Sequence, residues 1–211
     1  MGASKEEKIM KTCYIVGAGE VYEGIYPKEG DLVIAADGGY DSLLKMGVWC
    51  DLLIGDLDSI SAPPTGLEIL RHPVRKDKTD SHLAYLEGVK RGYTSFHLSG
   101  VWGGREDHSL ANIALAISAA RAGHEMIISG ELSDMFVITD GECEIEGKEG
   151  KRFSVLAVNG AAIGVSISGA EYDVDSVTLT ESFPLGVSNA LKEKIVKISV
   201  AAGSLLIIAE R

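Results

Sequence analysis

The chain is short of cysteines, of cations and of long apolar stretches, and each shortage narrows what it can do. Its three cysteines, Cys13, Cys50 and Cys143, are scattered and odd in number. With no CxxC pair among them, neither a disulfide framework nor a zinc site is indicated. Lysine and arginine total 20 against 31 aspartates and glutamates, for a net charge of −11. That balance does not suit a nucleic-acid partner, because backbone binding depends on basic side chains neutralising phosphates. No stretch suits a membrane either. After the polar start Met1 to Lys8, the apolar run Cys13 to Val16 is far shorter than a signal h-region or a bilayer span. The expectation is a cytoplasmic protein with no nucleic-acid and no membrane partner. Also missing are the GxxxxGK[ST] loop of P-loop kinases, the HExxH of zinc proteases and the GxSxG nucleophile elbow.

What is present is an ordinary globular composition, 45% hydrophobic and 24% charged over 211 residues, with length enough for a substantial core. From Thr12 to about Ser129, short apolar runs alternate with helical segments, the signature of βα units and a parallel sheet. Candidate strands are Cys13 to Val16, Leu32 to Ala36, Leu52 to Ile54, Glu68 to Arg71, Phe96 to Ser99 and Met126 to Ser129. Their unbroken apolar character suits strands covered on both faces. Tyr40 to Met46, Asp80 to Arg91 and Asp107 to Ala122 carry helical spacing, and Gly47, Gly92 and Gly123 stand just past their ends as stop signals. After Gly130 the texture becomes β-rich, with alternation in Val165 to Ser168 and Val177 to Thr180 and a closing run Leu205 to Ala209. The pattern predicts an α/β chain in two parts. An N-terminal parallel-sheet α/β domain covers residues 1–131, and an antiparallel β-sandwich or barrel covers 132–211.

Three acidic clusters carry the chemistry. Gly55-Asp56-Leu57-Asp58-Ser59 follows a strand, and on an extended backbone Asp56 and Asp58 would project to the same side, a geometry that holds a hard cation. Asp37, in Ala36-Asp37-Gly38-Gly39, falls at the same carboxyl edge of a parallel sheet, where open α/β folds bind ligands. Lys76-Asp77-Lys78-Thr79-Asp80 opens a helix, with Thr79 as N-cap and lysines placed for the oxygens of a metal-bound polyphosphate. Gly103-Gly104-Arg105-Glu106-Asp107-His108 joins a strand to a helix and offers backbone N–H groups and a guanidinium to an anion. Each cluster also has a plainer reading as a turn or a cap, Asp107 as an N-cap among them. Gly17-Ala18-Gly19 reads as a tight turn, since the next glycine, Gly24, lies outside dinucleotide-fingerprint spacing.

In combination, order and spacing these motifs closely resemble thiamine pyrophosphokinases. The likeness continues through Gly169-Ala170-Glu171-Tyr172-Asp173-Val174 and Gly186-Val187-Ser188-Asn189, so it spans nearly the whole chain. Asp173-Val174 stands where the family often has Pro-Leu. The resemblance implies an α/β nucleotide-binding domain followed by a β-sandwich, assembled as a homodimer, that transfers the pyrophosphoryl group of ATP to the hydroxyl of thiamine. It implies Mg2+ held by Asp37, Asp56, Asp58 and Asp80. It also implies nucleotide or phosphate contacts from Asp37, Gly38, Lys78, Gly103, Gly104, Arg105 and Asp107, with thiamine held by Ser188 and Asn189. Asp56, Asp80 and Arg105 are the candidate catalytic residues, Asp80 as acceptor of the hydroxyl proton. Two other readings stay open. One is a magnesium-dependent kinase or pyrophosphatase with another acceptor; the other is a nucleotide- or thiamine-sensing module without turnover.

Overall fold

The apolar runs resolve into thirteen strands and three α-helices over residues 11–57, 60, 65–71 and 77–211, which the computed structural model describes. Six strands form the parallel part: β1 (Thr12–Val16), β2 (Leu32–Ala36), β3 (Leu52–Gly55), β4 (Glu68–Arg71), β5 (Ser95–Ser99) and β6 (Glu125–Ser129). Their order is β4-β3-β2-β1-β5-β6, all parallel. The chain therefore starts in the middle, steps outward to β4, then returns to the other flank of β1. Between β1 and β5 the winding direction reverses, and there two neighbouring loops part at the carboxyl edge.

Helix α1 (Gly39–Met46) buries Leu43 against Val16, Val33 and Leu53 on one face. Helices α2 (Asp80–Lys90) and α3 (Glu106–Arg121) cover the other face, where Ala84, Tyr85, Leu115 and Ala119 pack on Cys13, Ile15, Ile34 and Phe96. Gly47, Gly92 and Gly123 take left-handed φ values of 67°, 90° and 77° and end the helices as anticipated. Coverage on both faces holds for β1 to β3 but not throughout. β4 is an edge strand with exposed Glu68 and Arg71. Ile127 in β6 is 41% exposed, while α1 packs chiefly over β1 and β2.

The remaining strands are β7 (Ser133–Thr139), β8 (Glu142–Glu146), β9 (Arg152–Ser168), β10 (Val174–Leu179), β11 (Asn189–Ala190), β12 (Ile195–Ser199) and β13 (Ala202–Glu210). β7 pairs antiparallel with β6, and the sheet continues through β13, β9, β12 and β8. The 17-residue β9 serves two layers. Its first part, Phe153 to Val158, pairs with β13; its second part pairs with β10 and β12. Asn159 and Gly160, at φ 59° and 111°, turn the strand between them. Inner residues of both layers, Phe153, Val155 and Ile207 from one and Val165, Ile167, Val196 and Ile198 from the other, share one core.

The closing strand β13 explains the unbroken run Leu205 to Ala209. Leu206 and Ile208 pack toward the helical core, while Leu205, Ile207 and Ala209 line the second core. A strand that divides two cores has no solvent face, so period-2 alternation disappears from its sequence. The fold is thus a mixed, sheet-dominated α/β architecture whose sheet passes without interruption from residue 129 to 133.

Candidate functional site

The site forms where β1 and β5 release their loops. The Gly17 N–H donates to the Ser99 carbonyl at 2.8 Å, and the Gly19 N–H to the Gly100 carbonyl at 2.8 Å. This approach leaves no room for side chains: a Cβ on Gly17 would stand 2.6 Å from the Gly100 oxygen, and one on Gly19 2.8 Å from it. Gly100 itself sits at φ 64°. Gly17-Ala18-Gly19 is therefore more than a tight turn, since it forms one wall of a cleft of about 350 Å3. Two glycines spaced by one residue directly after a central strand were the signal in the sequence.

The opposite wall is the loop that enters α3. Gly103 and Gly104 both adopt left-handed conformations, at φ 81° and 73°. Ser109 clasps them, its Oγ accepting from Gly103 N and donating to the Arg105 carbonyl, both at 3.1 Å. Asn112, 4% exposed, donates from Nδ2 to the Val101 carbonyl at 2.8 Å. Neither Ser109 nor Asn112 was singled out from sequence. Their signal was a polar pair on the buried stripe of α3, in register with Leu115, Ala116 and Ala119.

Of the residues expected in the site, Asp37, Asp80, Gly103, Gly104 and Arg105 line this one cleft, with His108 beside them. Asp37 is held at φ 51° just past β2, its carboxylate against Gly55, where a Cβ would lie 3.0 Å from Oδ1. Asp56 follows Gly55, half-buried but off the cleft wall, and Gly38 is buried as the N-cap of α1. Lys78 is exposed and adjoins the wall residue Thr79. Burial, then the nearby Lys78 charge, lower the pKa of His82. Asp107 is exposed and spends its carboxylate on Arg105, at 3.1 and 2.6 Å, which holds it below the usual carboxylate range.

Asp58 lies outside the described residues, as do Ser59 and Lys76. β3 ends at Gly55 and Leu57 turns to φ 72°, while the expected alignment of Asp56 with Asp58 lies outside the described residues. α3 begins at Glu106, so Arg105 occupies the cap position and Asp107 the first turn. Thr79 does cap α2, its side chain accepting from His82 N at 3.3 Å.

The backbone supplies the positive potential that the composition lacks. The N-termini of α2 and α3 open onto the cleft through Thr79 to Ser81 and Gly103 to Arg105, and α1 begins two residues after Asp37. Each helix N-terminus carries roughly half a positive charge and unpaired N–H groups. An acidic chain thereby acquires a locally anion-attracting pocket. Among the described residues no group of three or more carboxylate, histidine or cysteine side chains forms a ready metal cage. Magnesium does not need one, because it is commonly held by one or two carboxylates together with substrate phosphates. Asp37 and Asp80 on the cleft wall fit that hard-oxygen requirement.

The two C-terminal motifs meet in space. Asn189 is 4% exposed, and its Oδ1 accepts from Tyr172 N at 3.1 Å and Ala190 N at 2.9 Å, while Nδ2 donates to the Tyr172 carbonyl at 2.9 Å. Asp173 closes the same turn by accepting from Ala170 N at 2.8 Å. Ser188 is exposed at φ 63°, its N–H donating to Ser154 Oγ at 3.1 Å. Beside the clasp lies an apolar pocket of about 190 Å3, walled by Tyr172, Val174, Leu179, Leu185 and Val187.

A cleft with hard oxygen donors at the switch point of a parallel sheet marks the class of open α/β proteins that bind their ligands at the carboxyl edge. Two family models match the chain: "Thiamin pyrophosphokinase, catalytic domain" over residues 26–128 and "Thiamin pyrophosphokinase, vitamin B1 binding domain" over 142–205. The chain belongs to the thiamin pyrophosphokinase family. It is 28% identical over 193 residues to the thiamine pyrophosphokinase of Bacillus subtilis (strain 168), covering 87% of this chain and 89% of that protein. A crystal structure of thiamine pyrophosphokinase from Bacillus subtilis superposes with a TM-score of 0.87 at 26% identity, over 95% of this chain and 99% of the other. Thiamin pyrophosphokinase from Candida albicans shares the fold at 15% identity, with a TM-score of 0.75 over 96% and 90% of the two chains.

Proposed function

We propose that the chain is a thiamine pyrophosphokinase, which moves the terminal pyrophosphoryl group of ATP onto the hydroxyl of thiamine and releases AMP. The observation that carries this reading is the convergence of Gly17, Asp37, Asp80 and Arg105 on one cleft at the switch point. Residues 1–131 would then form the ATP-binding part and 132–211 the thiamine-binding part. The two family matches, on either side of that boundary, support the division.

In this reading the N–H groups around Gly17 to Gly19 and at Gly103 and Gly104 bind phosphate oxygens, and the starts of α2 and α3 add their dipoles. Arg105, paired with exposed Asp107, turns from that partner onto the phosphates when ATP enters; a fully solvated pair offers little resistance to the exchange. Asp37, Asp80 and, beyond the wall, Asp56 orient the hard cation, with Asp58 the fourth expected ligand. Bound there, Mg2+ would neutralise polyphosphate charge and favour in-line displacement. In the same reading Asp80, at the first position of α2, accepts the thiamine hydroxyl proton. Lys78 approaches from the solvent side as a point charge. The apolar pocket at Tyr172, Leu185 and Val187 suits the rings of thiamine, with Ser188 at its rim and Asn189 fixing its wall. We place a second copy of the chain beside this one as a homodimer, and the enzyme in the cytoplasm. Among the described residues no helix is long and apolar enough to cross a membrane.

Thiamine and ATP incubated with and without magnesium, scored for AMP, test the reading directly. AMP with thiamine diphosphate, only when magnesium is present, is expected; ADP or free pyrophosphate would point to another reaction. Asp37→Asn should lower kcat/KM by about a thousandfold, since it removes several kcal/mol of electrostatic stabilisation.

A further inference from the structure

The opposite end of the parallel sheet holds a larger cleft, of about 500 Å3, that the proposed reaction does not use. It opens where β6 and β7 separate. Their ladder runs only from Ile127 opposite Phe136 to Ser129 opposite Asp134, and below it the strands diverge. The amino ends of β5 and β6, at Ser95 and Glu125, and the exit of β7 at Thr139 border the gap, and the start of β8 closes it. β5 runs five residues, on the order of 16 Å, from this end to the glycine loops of the other cleft.

The lining has a distinct chemistry. Ile127, Phe136 and Ile138 give it apolar walls, and Ile127 is 41% exposed on a strand that no described helix covers on that side. Glu125, Glu142 and Glu144 bring carboxylates, while no lysine or arginine lines the cleft. Glu144 is paired with Lys197 from β12, at 3.1 Å, but Glu125 and Glu142 form no ion pair among the described residues. His124, also on the wall, hydrogen-bonds through Nδ1 to the Tyr85 hydroxyl at 2.8 Å. The volume falls in the usual range for one small molecule, and apolar walls with uncompensated carboxylates select for positive charge.

We infer that this cleft is a second binding site, for a small organic cation carrying a flat apolar ring. The ring lies against Ile127 and Phe136, and the cationic nitrogen faces Glu125 and Glu142. The site is separate from the ATP cleft and does not depend on the assigned reaction. Two sources share the chemistry, a thiazolium such as thiamine itself and an unrelated aryl ammonium ion.

The test is a titration of the full chain with phenyltrimethylammonium, followed by amide chemical shifts. Uncharged N,N-dimethylaniline at neutral pH is the comparison, and thiamine is the second arm. Shifts centred on Ile127 and Phe136 with the cation, at least tenfold weaker with dimethylaniline, are expected. The double change Glu125→Gln with Glu142→Gln should weaken cation binding about tenfold or more and leave AMP production intact. Ile127→Ser, at an exposed position, should weaken both aryl ligands and keeps the proposal testable if the double variant folds poorly. Thiamine shifting the same amides would make the enzyme's own substrate one occupant; their silence with thiamine would leave the unrelated cations. Absence of shifts at Ile127 with phenyltrimethylammonium, or equal binding of the uncharged ring, would overturn the assignment.

Discussion

The two halves of the molecule use the same small polar residues for opposite ends. At the carboxyl edge of the parallel sheet, Asp37, Asp80, Gly103 and Arg105 line a cleft whose frame is set by the contacts of Gly17 and Gly19 with the β5 loop. In the antiparallel half, Asn189, Asp173 and Ser154 spend their side chains on the backbone of the turns around them. The same residue types thus line a cleft at a sheet edge in one half and tie up turns in the other, and it is the place in the fold that separates the two uses.

The largest expected effect comes from crowding the first half. A Cβ on Gly39, at the first position of α1, would run into the Val16 carbonyl oxygen of the central strand. Gly39→Ala should destabilise the protein by about 3 kcal/mol, through displacement of α1 and of the Asp37 turn. Gly123→Ala, also left-handed but with open space around it, should cost about 1 kcal/mol from its backbone alone. Thermal unfolding of the two variants measures the difference. Equal losses would mean that close backbone packing does not set the site half apart.

The second half breaks more gently. Asn189→Ala removes one buried donor and one double acceptor and should lower stability by about 2 kcal/mol, whereas Ser188→Ala should change it by less than about 0.5 kcal/mol. Thiamine affinity should fall with Asn189→Ala through loss of the Tyr172 wall. If instead Ser188→Ala were the destabilising change, the division of labour between these neighbours would be reversed.

Much of the parallel half was legible because its elements obey local rules. β2 and β4 carry the boundaries read from their apolar runs, and Gly47, Gly92 and Gly123 end the helices where expected. The sequence puts Asp37 at the carboxyl edge of a parallel sheet, and Asp80 and Arg105 line the same cleft there. What escaped depends on contacts distant in sequence. The meeting of Gly17 with Gly100, the Asn112 bond to Val101 and the clasp of Tyr172 by Asn189 join segments that carry no mark of each other. Leu57 escaped for another reason: a bulky residue at φ 72° contradicts its own local preference. The double-sided β13 was hidden because a strand between two cores loses the alternation that identifies strands, and the two-layer use of β9 because the turn at Asn159 and Gly160 lies inside one continuous strand.

The smallest predicted effect lies on the seam between the halves. His97 of β5 meets Ser129 Oγ through Nε2 at 2.7 Å and packs against Tyr14. Asp134 and Glu23 face it with negative charge and Arg211 with positive charge, and Arg211 ties itself to Asp134 at 3.0 Å and to the Gly130 carbonyl. Burial is the largest influence on His97 and lowers its pKa from 6.5; Asp134 and Glu23 oppose the shift, and Arg211 adds to it. A lowered folded pKa means that the unfolded chain binds the proton more readily, so stability is greatest above 6.5 and falls as the pH drops through that value toward the lower folded pKa. The thermal midpoint should accordingly decline on acidification through this range. In His97→Gln, which keeps an amide for Ser129, that part of the decline should vanish, while the shallow remainder set by the carboxylates persists. A variant curve parallel to the parent's throughout would mean that the seam does not sense the proton at His97 and that its pH response arises elsewhere on the acidic surface.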